Sequence, residues 1–225
     1  MSGFIVLHLL LGATSAQSQL DSLLNEARKA ERERRFPEAT EFYREAANLL
    51  VDNGNAENAL KLLTDFAQRA KKAGEFGSVG YTYDKVAEIL FILNRNVEAL
   101  QLVDSLKALS QKATKLEDAL YLHEVGTSIL YTSGDLRQAV ALMKGFAERC
   151  EETGEYEYAT RAYVHVAYLL SPDSVQEAVN ALSSFAQRCE NNEKYSFAGY
   201  AYQIAADILL GVGQREEALK FRMLS

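Results

Sequence analysis

Apolar and aromatic positions recur along this chain with a period of about 40 residues. An aromatic residue or histidine returns at steps of 40, 40, 40 and 39 residues, at Tyr43, Tyr83, His123, Tyr163 and Tyr202. A leucine returns at the same steps, at Leu50, Leu90, Leu130, Leu170 and Leu209. The third copy, residues 102–130, is the weakest match to the others. Because self-similarity at a fixed period of this length is typical of repeat architectures, the pattern predicts an array of five repeats.

The spacing within each repeat is helical. Small residues three positions apart, such as Ala67 and Ala70, allow a neighbouring helix to approach closely. A glycine follows at Gly74, and an apolar stripe that includes Tyr83 then continues to Leu90 with a 3.6-residue period. Each repeat is therefore predicted to contain two antiparallel helices of about 15 to 18 residues, joined by a short turn.

The helix-breaking residues agree with this division. Glycine or asparagine recurs between the predicted helices, at Gly54, Gly74, Asn94, Gly134, Gly154 and Gly213. Pro37 lies just inside a predicted helix start, where its missing N–H removes no hydrogen bond. Ser174 and Glu177 have the spacing of a capping box, and they follow the turn at which the period shortens to 39.

A single helix pair of this length cannot bury its own apolar face, so each pair must stack on the next. Five stacked pairs, with a small constant rotation between neighbours, predict a curved superhelix with a concave face. We expect residues 17–225 to form this single all-α domain.

The order of small, breaker and aromatic positions resembles the tetratricopeptide repeat. In two copies the order reads Ala67, Gly74, Phe76, Val79, Tyr83, Val86 and Ala147, Gly154, Tyr156, Ala159, Tyr163, Val166. The resemblance implies a right-handed α-solenoid of five antiparallel helix pairs, with the first helix of each pair lining the groove. The period departs from the 34 residues of that family, and the closing proline of its motif is absent.

Longer repeats of this kind occur in the soluble NSF attachment proteins, which are adaptors of membrane fusion. The segment LLNEARKAERERRFPEATEFYREAANLL, residues 23–50, is similar to their opening repeat. Since a shared fold does not fix a function, this resemblance by itself implies only one candidate role.

The N-terminal segment, residues 1–16, is apolar from Phe4 to Leu11 and ends in small residues, as a secretory signal peptide does. No lysine or arginine precedes the apolar run, and the run is too short to span a bilayer. A helix that caps the end of the array is the alternative. We expect a cytoplasmic protein, or a secreted or periplasmic one if this segment is a signal peptide.

Composition narrows the functional classes. The formal net charge of -7 argues against nucleic acid as a main partner, because phosphate binding requires an excess of lysine and arginine. Cys150 and Cys189 occupy equivalent small-residue positions, so buried free thiols are expected rather than a disulfide. The three histidines have no ligand spacing for a metal site, and Gly74, Gly77 and Gly80 lack the context of a phosphate loop. We therefore predict neither a catalytic centre nor a cofactor.

Transferring the groove-facing positions of tetratricopeptide solenoids onto this chain selects charged residues as candidates for partner binding. The N-terminal copies contribute basic residues and the later copies acidic ones: Arg28, Arg32, Lys71, Lys72, Lys112, Glu148, Glu151, Glu152 and Glu190. A groove with this polarity would orient a peptide or helix by complementary charge. The alternative is a solvated surface that only keeps the protein soluble.

The predicted function is a non-catalytic scaffold or adaptor that binds a protein or peptide partner. The alternatives are a regulatory solenoid module of a larger protein and an adaptor of membrane fusion similar to the soluble NSF attachment proteins. A membrane would be contacted indirectly, if at all.

Overall fold

A computed structural model describes the backbone of residues 2–225 and the side chains from Ala16 onward. This described part contains eleven α-helices and no strand. The helices are α1 Ser2–Arg32, α2 Phe36–Asp52, α3 Ala56–Ala73, α4 Phe76–Ile92, α5 Asn96–Ser110, α6 Leu116–Thr132, α7 Leu136–Glu152, α8 Tyr156–Leu170, α9 Val175–Asn191, α10 Tyr195–Gly211 and α11 Arg215–Arg222.

The helices follow one another as five pairs, from α1 and α2 to α9 and α10, with α11 after the last pair. Helices α2 to α10 are 15 to 18 residues long, as the sequence predicts. α1 packs on α2, α3 on α4, α7 on α8 and α9 on α10, while α2–α3, α8–α9 and α10–α11 contacts join consecutive pairs. The predicted all-helical repeat fold is confirmed.

The packing contacts group the chain into two compact units, residues 1–125 and residues 126–225. The division falls within α6. Stacking of one pair on the next is observed inside each unit, at α2–α3 in the first and at α8–α9 in the second. A single continuous domain over residues 17–225 stays a prediction.

The repeated aromatic positions form the core of the helix pairs. Tyr43, Tyr83, Tyr163 and Tyr202 lie on the second helix of their pairs, and none is more than 6% exposed. His123 takes the same position in α6, where it is buried and its Nδ1 lies 2.9 Å from the Ala119 carbonyl oxygen. The structure thus confirms that the tyrosine period marks the buried face of each second helix.

Left-handed backbone recurs at the turns with the period of the repeat. Eight turn residues have φ between 57° and 87°, at Arg34, Gly54, Gly74, Asn94, Gly134, Gly154, Glu193 and Gly213. At the end of α3, for example, the Gly74 N–H donates to the Lys71 carbonyl and the Glu75 N–H donates to the Ala70 carbonyl. These bonds satisfy carbonyls that the end of a helix leaves without partners.

The shortened turn before α9 uses side-chain capping instead. Ser174 is the N-cap residue, and its hydroxyl accepts a hydrogen bond of 3.3 Å from the Glu177 N–H. Pro37 lies in the first turn of α2, as predicted. The predicted punctuation of these two helices is therefore confirmed.

Helix α1 runs without a break through the expected boundary between residues 16 and 17. Side chains 1–15 lie outside the described residues, so both interpretations of the apolar segment, capping helix and signal peptide, stay predictions. Among the described residues, no helix combines the length and the apolar character needed to cross a membrane.

Both cysteines are free and buried, on equivalent positions of α7 and α9. Burial raises the pKa of Cys150 to about 11 and that of Cys189 to about 12. Since the thiolate is the reactive form, and about one thiol in a thousand is ionised three pH units below its pKa, both should resist alkylation at pH 8.

The measurement is the rate of reaction with Ellman's reagent in the native protein and in 6 M guanidinium chloride, with free glutathione as the reference thiol. We expect slow modification of the native protein and two rapid equivalents after unfolding. A native rate close to that of glutathione would contradict the burial of these thiols.

Candidate partner-binding surfaces

A cluster of three side chains links the first helix pair to the second. The guanidinium of Arg69, on α3, donates to Glu31 of α1 through Nε at 2.6 Å and Nη2 at 3.1 Å. The same Nη2 donates to the Tyr43 hydroxyl of α2 at 3.2 Å, and this hydroxyl donates to Glu31 at 2.9 Å. Arg69 also lies over the Tyr43 ring, 5.7 Å from its centroid. Burial and the hydrogen bond to Glu31 raise the pKa of Tyr43.

An equivalent cluster links the fourth pair to the fifth. Arg188 of α9 donates to Glu151 of α7 at 2.7 and 3.1 Å and to the Tyr163 hydroxyl of α8 at 2.8 Å. Its guanidinium lies 5.3 Å from the centroid of the Tyr163 ring. Bidentate charge-assisted pairs of this kind hold a fixed geometry. We call these two clusters the arginine clamps.

Each clamp also stacks a phenylalanine on its tyrosine. Phe66 lies 4.5 Å from Tyr43, and Phe185 lies 4.5 Å from Tyr163, centroid to centroid. The phenylalanine and arginine belong to the same tetrapeptide, Phe-Ala-Gln-Arg, which occurs at residues 66–69 and 185–188. Each first helix therefore inserts one aromatic and one cationic group against the pair before it.

Basic side chains surround a depression in the first unit. Arg28, Arg32 and Lys72, three of the predicted partner-binding residues, line it together with Arg34 and Phe36, around a volume of ≈ 640 Å³. The four basic side chains are exposed. Glu31, which also lines the depression, is already engaged by Arg69. We call this surface the basic depression.

Acidic side chains surround a larger depression in the second unit, between α7, α8 and α9, with a volume of ≈ 940 Å³. The predicted residues Glu148, Glu151 and Glu152 line it. Glu148 and Glu152 are exposed, whereas Glu151 is held by Arg188 in the second clamp. Lys144 lies 3.8 Å from Glu148 and partly balances its charge. We call this surface the acidic depression.

The remaining predicted residues lie elsewhere. Lys71 is exposed in the last turn of α3 and does not line the basic depression. Lys112 is exposed in the turn after α5 rather than on a helix. Glu190 is half-buried on α9, outside the acidic depression. Within each unit, the structure thus brings three predicted residues to one surface.

The sequence also matches a known family over most of its length. A sequence model described as Soluble NSF attachment protein, SNAP, matches residues 52–213, which include α3 to α10. This chain belongs to the soluble NSF attachment protein family. No individually curated protein matches the chain.

Solved structures that are similar to this family member share its fold at low sequence identity. BtubC (BKLC) from P. vanneervenii is 15% identical, with 92% of this chain and 91% of that chain covered and a TM-score of 0.53. A circular tandem repeat protein is 13% identical, with 91% and 64% covered and a TM-score of 0.51. A kinesin light chain with nearly identical TPR-like repeats, from Podosopora anserina, is 19% identical, with 81% and 90% covered and a TM-score of 0.47.

Membership of the soluble NSF attachment protein family agrees with a helical repeat that serves protein interaction. The matched range includes Lys72 and the whole acidic depression, whereas Arg28 and Arg32 precede it. The partner-binding roles of all these residues stay proposals.

Sequence reasoning about this member of the soluble NSF attachment protein family missed the arginine clamps. It selected Glu151 as a free groove residue and did not consider Arg69 or Arg188. A signal was available, because the repeated Phe-Ala-Gln-Arg tetrapeptide is preceded at matching distances by Glu31 and Glu151. Those glutamates lie 38 and 37 residues before their arginines, close to one repeat.

Proposed function

We propose that this chain is a non-catalytic adaptor that binds NSF and a second protein, as its family name implies. The observation that carries the proposal is the family match over four of the five helix pairs. The charged depressions add support, because each offers several charges that stay exposed on rigid helices. Complementary charge across an interface raises association rates and selects partners.

The basic depression fits an acidic segment of a partner. Its carboxylate, Glu31, is engaged in an arginine clamp, so the charges of Arg28, Arg32 and Lys72 remain available to a ligand. Phe36 supplies an apolar contact at the same surface. We propose that Lys71 and Lys112 extend the attraction to an acidic partner.

The acidic depression fits a basic segment. Glu148 and Glu152 are exposed, and Val140, Val166 and Leu170 add apolar surface to the same depression. An amphipathic helix with lysine or arginine on one side matches this combination of charge and apolar area. Glu151 contributes through the second clamp, where it orients Arg188.

The test is binding of the purified chain to purified NSF, measured by surface plasmon resonance at 50 and 300 mM salt. Saturable binding that weakens with salt is expected, because exposed charges are screened over about 10 Å or less at these ionic strengths. Absence of binding at both salt concentrations would overturn the NSF part of the proposal. A binary complex that excludes every further partner would overturn the adaptor role.

Reversing the charge of Lys71 and Lys72 together to glutamate is expected to slow association with an acidic partner by about threefold to tenfold. Both side chains are exposed at the end of α3, so the fold should be unchanged. Each exposed pair contributes only about 0 to 1 kcal/mol, so binding should persist.

The matched control is Lys115→Glu with Lys194→Glu, which changes the net charge equally at exposed turn positions outside the basic depression. Association kinetics with NSF, or with the second protein that NSF complexes contain, would distinguish the two variants. Equal rates for both would assign these lysines to a solvated surface.

A further inference from the structure

The receptor half of the arginine clamp occurs a third time in the chain. In the two clamps, a glutamate near the end of a first helix lies 12 residues before the tyrosine of the second helix: Glu31 with Tyr43 and Glu151 with Tyr163. Glu190, near the end of α9, lies 12 residues before Tyr202 of α10. The fifth pair therefore carries the same two residues in the same register.

In both complete clamps these two residues bind a guanidinium. The carboxylate accepts two N–H bonds at 2.6 to 3.1 Å, and the tyrosine hydroxyl accepts a third at 3.2 or 2.8 Å. The tyrosine ring lies under the cation at 5.7 or 5.3 Å. Two occurrences of one geometry define a receptor for arginine.

The third receptor is covered differently. Its neighbour α11 is eight residues long, whereas α3 and α9 have 18 and 17, and α11 carries no arginine at the position of Arg69 and Arg188. Phe221 reaches the Tyr202 ring at 6.0 Å with an interplanar angle of 41°, compared with 4.5 Å for Phe66 and Phe185.

Glu190 and Tyr202 are close enough to interact. Burial raises the pKa of Tyr202, and the neighbouring carboxylate of Glu190 raises it further, as expected for a hydroxyl that donates to a carboxylate. Tyr43 responds in the same way to burial and to Glu31. Glu190 keeps part of its surface exposed, so an incoming side chain can reach it.

We infer that Glu190 and Tyr202 form a binding site for an arginine side chain that a partner protein presents on a helix. This inference deepens the proposed function, because it gives the chemistry of one contact between the adaptor and its partner. Arginine is preferred to lysine, since a planar guanidinium can bond both carboxylate oxygens and the hydroxyl at once and still stack on the ring.

A second copy of this chain cannot supply the arginine in the manner of the clamps. Both Phe-Ala-Gln-Arg segments are engaged in their own clamps, and Phe66 and Phe185 are fully buried. Releasing either segment would require unfolding of a helix pair. The occupant is therefore a helix of another protein.

The experiment uses the full chain with isotope-labelled tyrosine and a synthetic peptide that carries the sequence of Ser183–Asn191, with its cysteine replaced by serine. Titration followed by NMR should shift the Tyr202 ring resonances, and changing the arginine of the peptide to lysine should weaken binding about tenfold. Glu190→Gln and Tyr202→Phe should each weaken it similarly. Glu157→Gln, the same charge change at an exposed position of α8, should leave it unchanged.

Peptide binding that is equally tight in Glu190→Gln, or the absence of any Tyr202 shift, would overturn the inference. Thermal unfolding of each variant checks that the fifth pair stays folded. The two proposals fail separately: retained NSF binding without a Tyr202 response contradicts only the arginine site. Loss of NSF binding with an intact Tyr202 response contradicts only the NSF proposal.

Discussion

Phe185→Ala is expected to lower the free energy of unfolding by about 3 to 5 kcal/mol, the usual cost of removing a buried aromatic ring. The Phe185 side chain is 0% exposed and stacks on Tyr163 at 4.5 Å. It also lies under the guanidinium of Arg188, 6.0 Å from its ring centroid. The substitution therefore leaves a cavity between α8 and α9 and removes one wall of the second arginine clamp.

Urea unfolding followed by circular dichroism measures this effect. The matched control is Tyr195→Ala, because Tyr195 lies on the same pair but is 67% exposed and should change stability by less than about 0.5 kcal/mol. Phe66→Ala should reproduce the loss in the first unit, where the same contacts recur. A loss below about 1 kcal/mol for both phenylalanines would mean that the clamps do not hold neighbouring pairs together.

Much of the fold could be predicted from the sequence because each repeat restates the same constraints. The tyrosine period identified the buried face of every second helix, and Gly74 and Gly154 marked turns that need left-handed backbone. Helix lengths followed from the spacing of these breakers. Arg34 and Glu193 adopt the same backbone without the glycine that would have signalled it.

The partner-binding surfaces were harder to predict, because exposure depends on contacts between repeats. Glu148 and Glu151 lie on one helix and carry the same charge, yet only Glu151 is reached by an arginine of the next pair. Lys112 was assigned by counting repeats, but α5 ends at Ser110 and leaves it in a turn. A period locates equivalent positions, whereas the pairing of a charge depends on the residue that the neighbouring helix presents.

Burial and stability also separate residues that the leucine period makes equivalent. Leu90 is 4% exposed, whereas Leu170, the last residue of α8, is only half-buried. Truncation of Leu90 should therefore cost more than truncation of Leu170, since the loss follows the apolar surface removed from water.

Gly80→Val is expected to destabilise the first unit by about 1 to 3 kcal/mol through overpacking. A Cβ atom at Gly80 would lie 2.8 Å from Cδ1 and 3.1 Å from Cε1 of the Tyr121 ring, which packs on α4 from α6. That ring cannot move away freely, because its other neighbour is Tyr81, stacked at 4.2 Å. The glycine therefore sets the distance at which the two helices approach.

Two opposing effects decide the sign of the smaller change, Gly80→Ala. Alanine in a helix interior is favoured over glycine by about 1 kcal/mol, but the contact with Tyr121 forces the ring or the helix to shift. The matched control is Gly145→Ala in α7, where a Cβ atom would meet only the Arg149 guanidinium at 3.9 Å. We expect Gly145→Ala to stabilise the chain and Gly80→Ala to destabilise it. Urea midpoints that rise equally for both alanine variants would show that close approach at Gly80 is not required, and that Tyr121 adapts without loss.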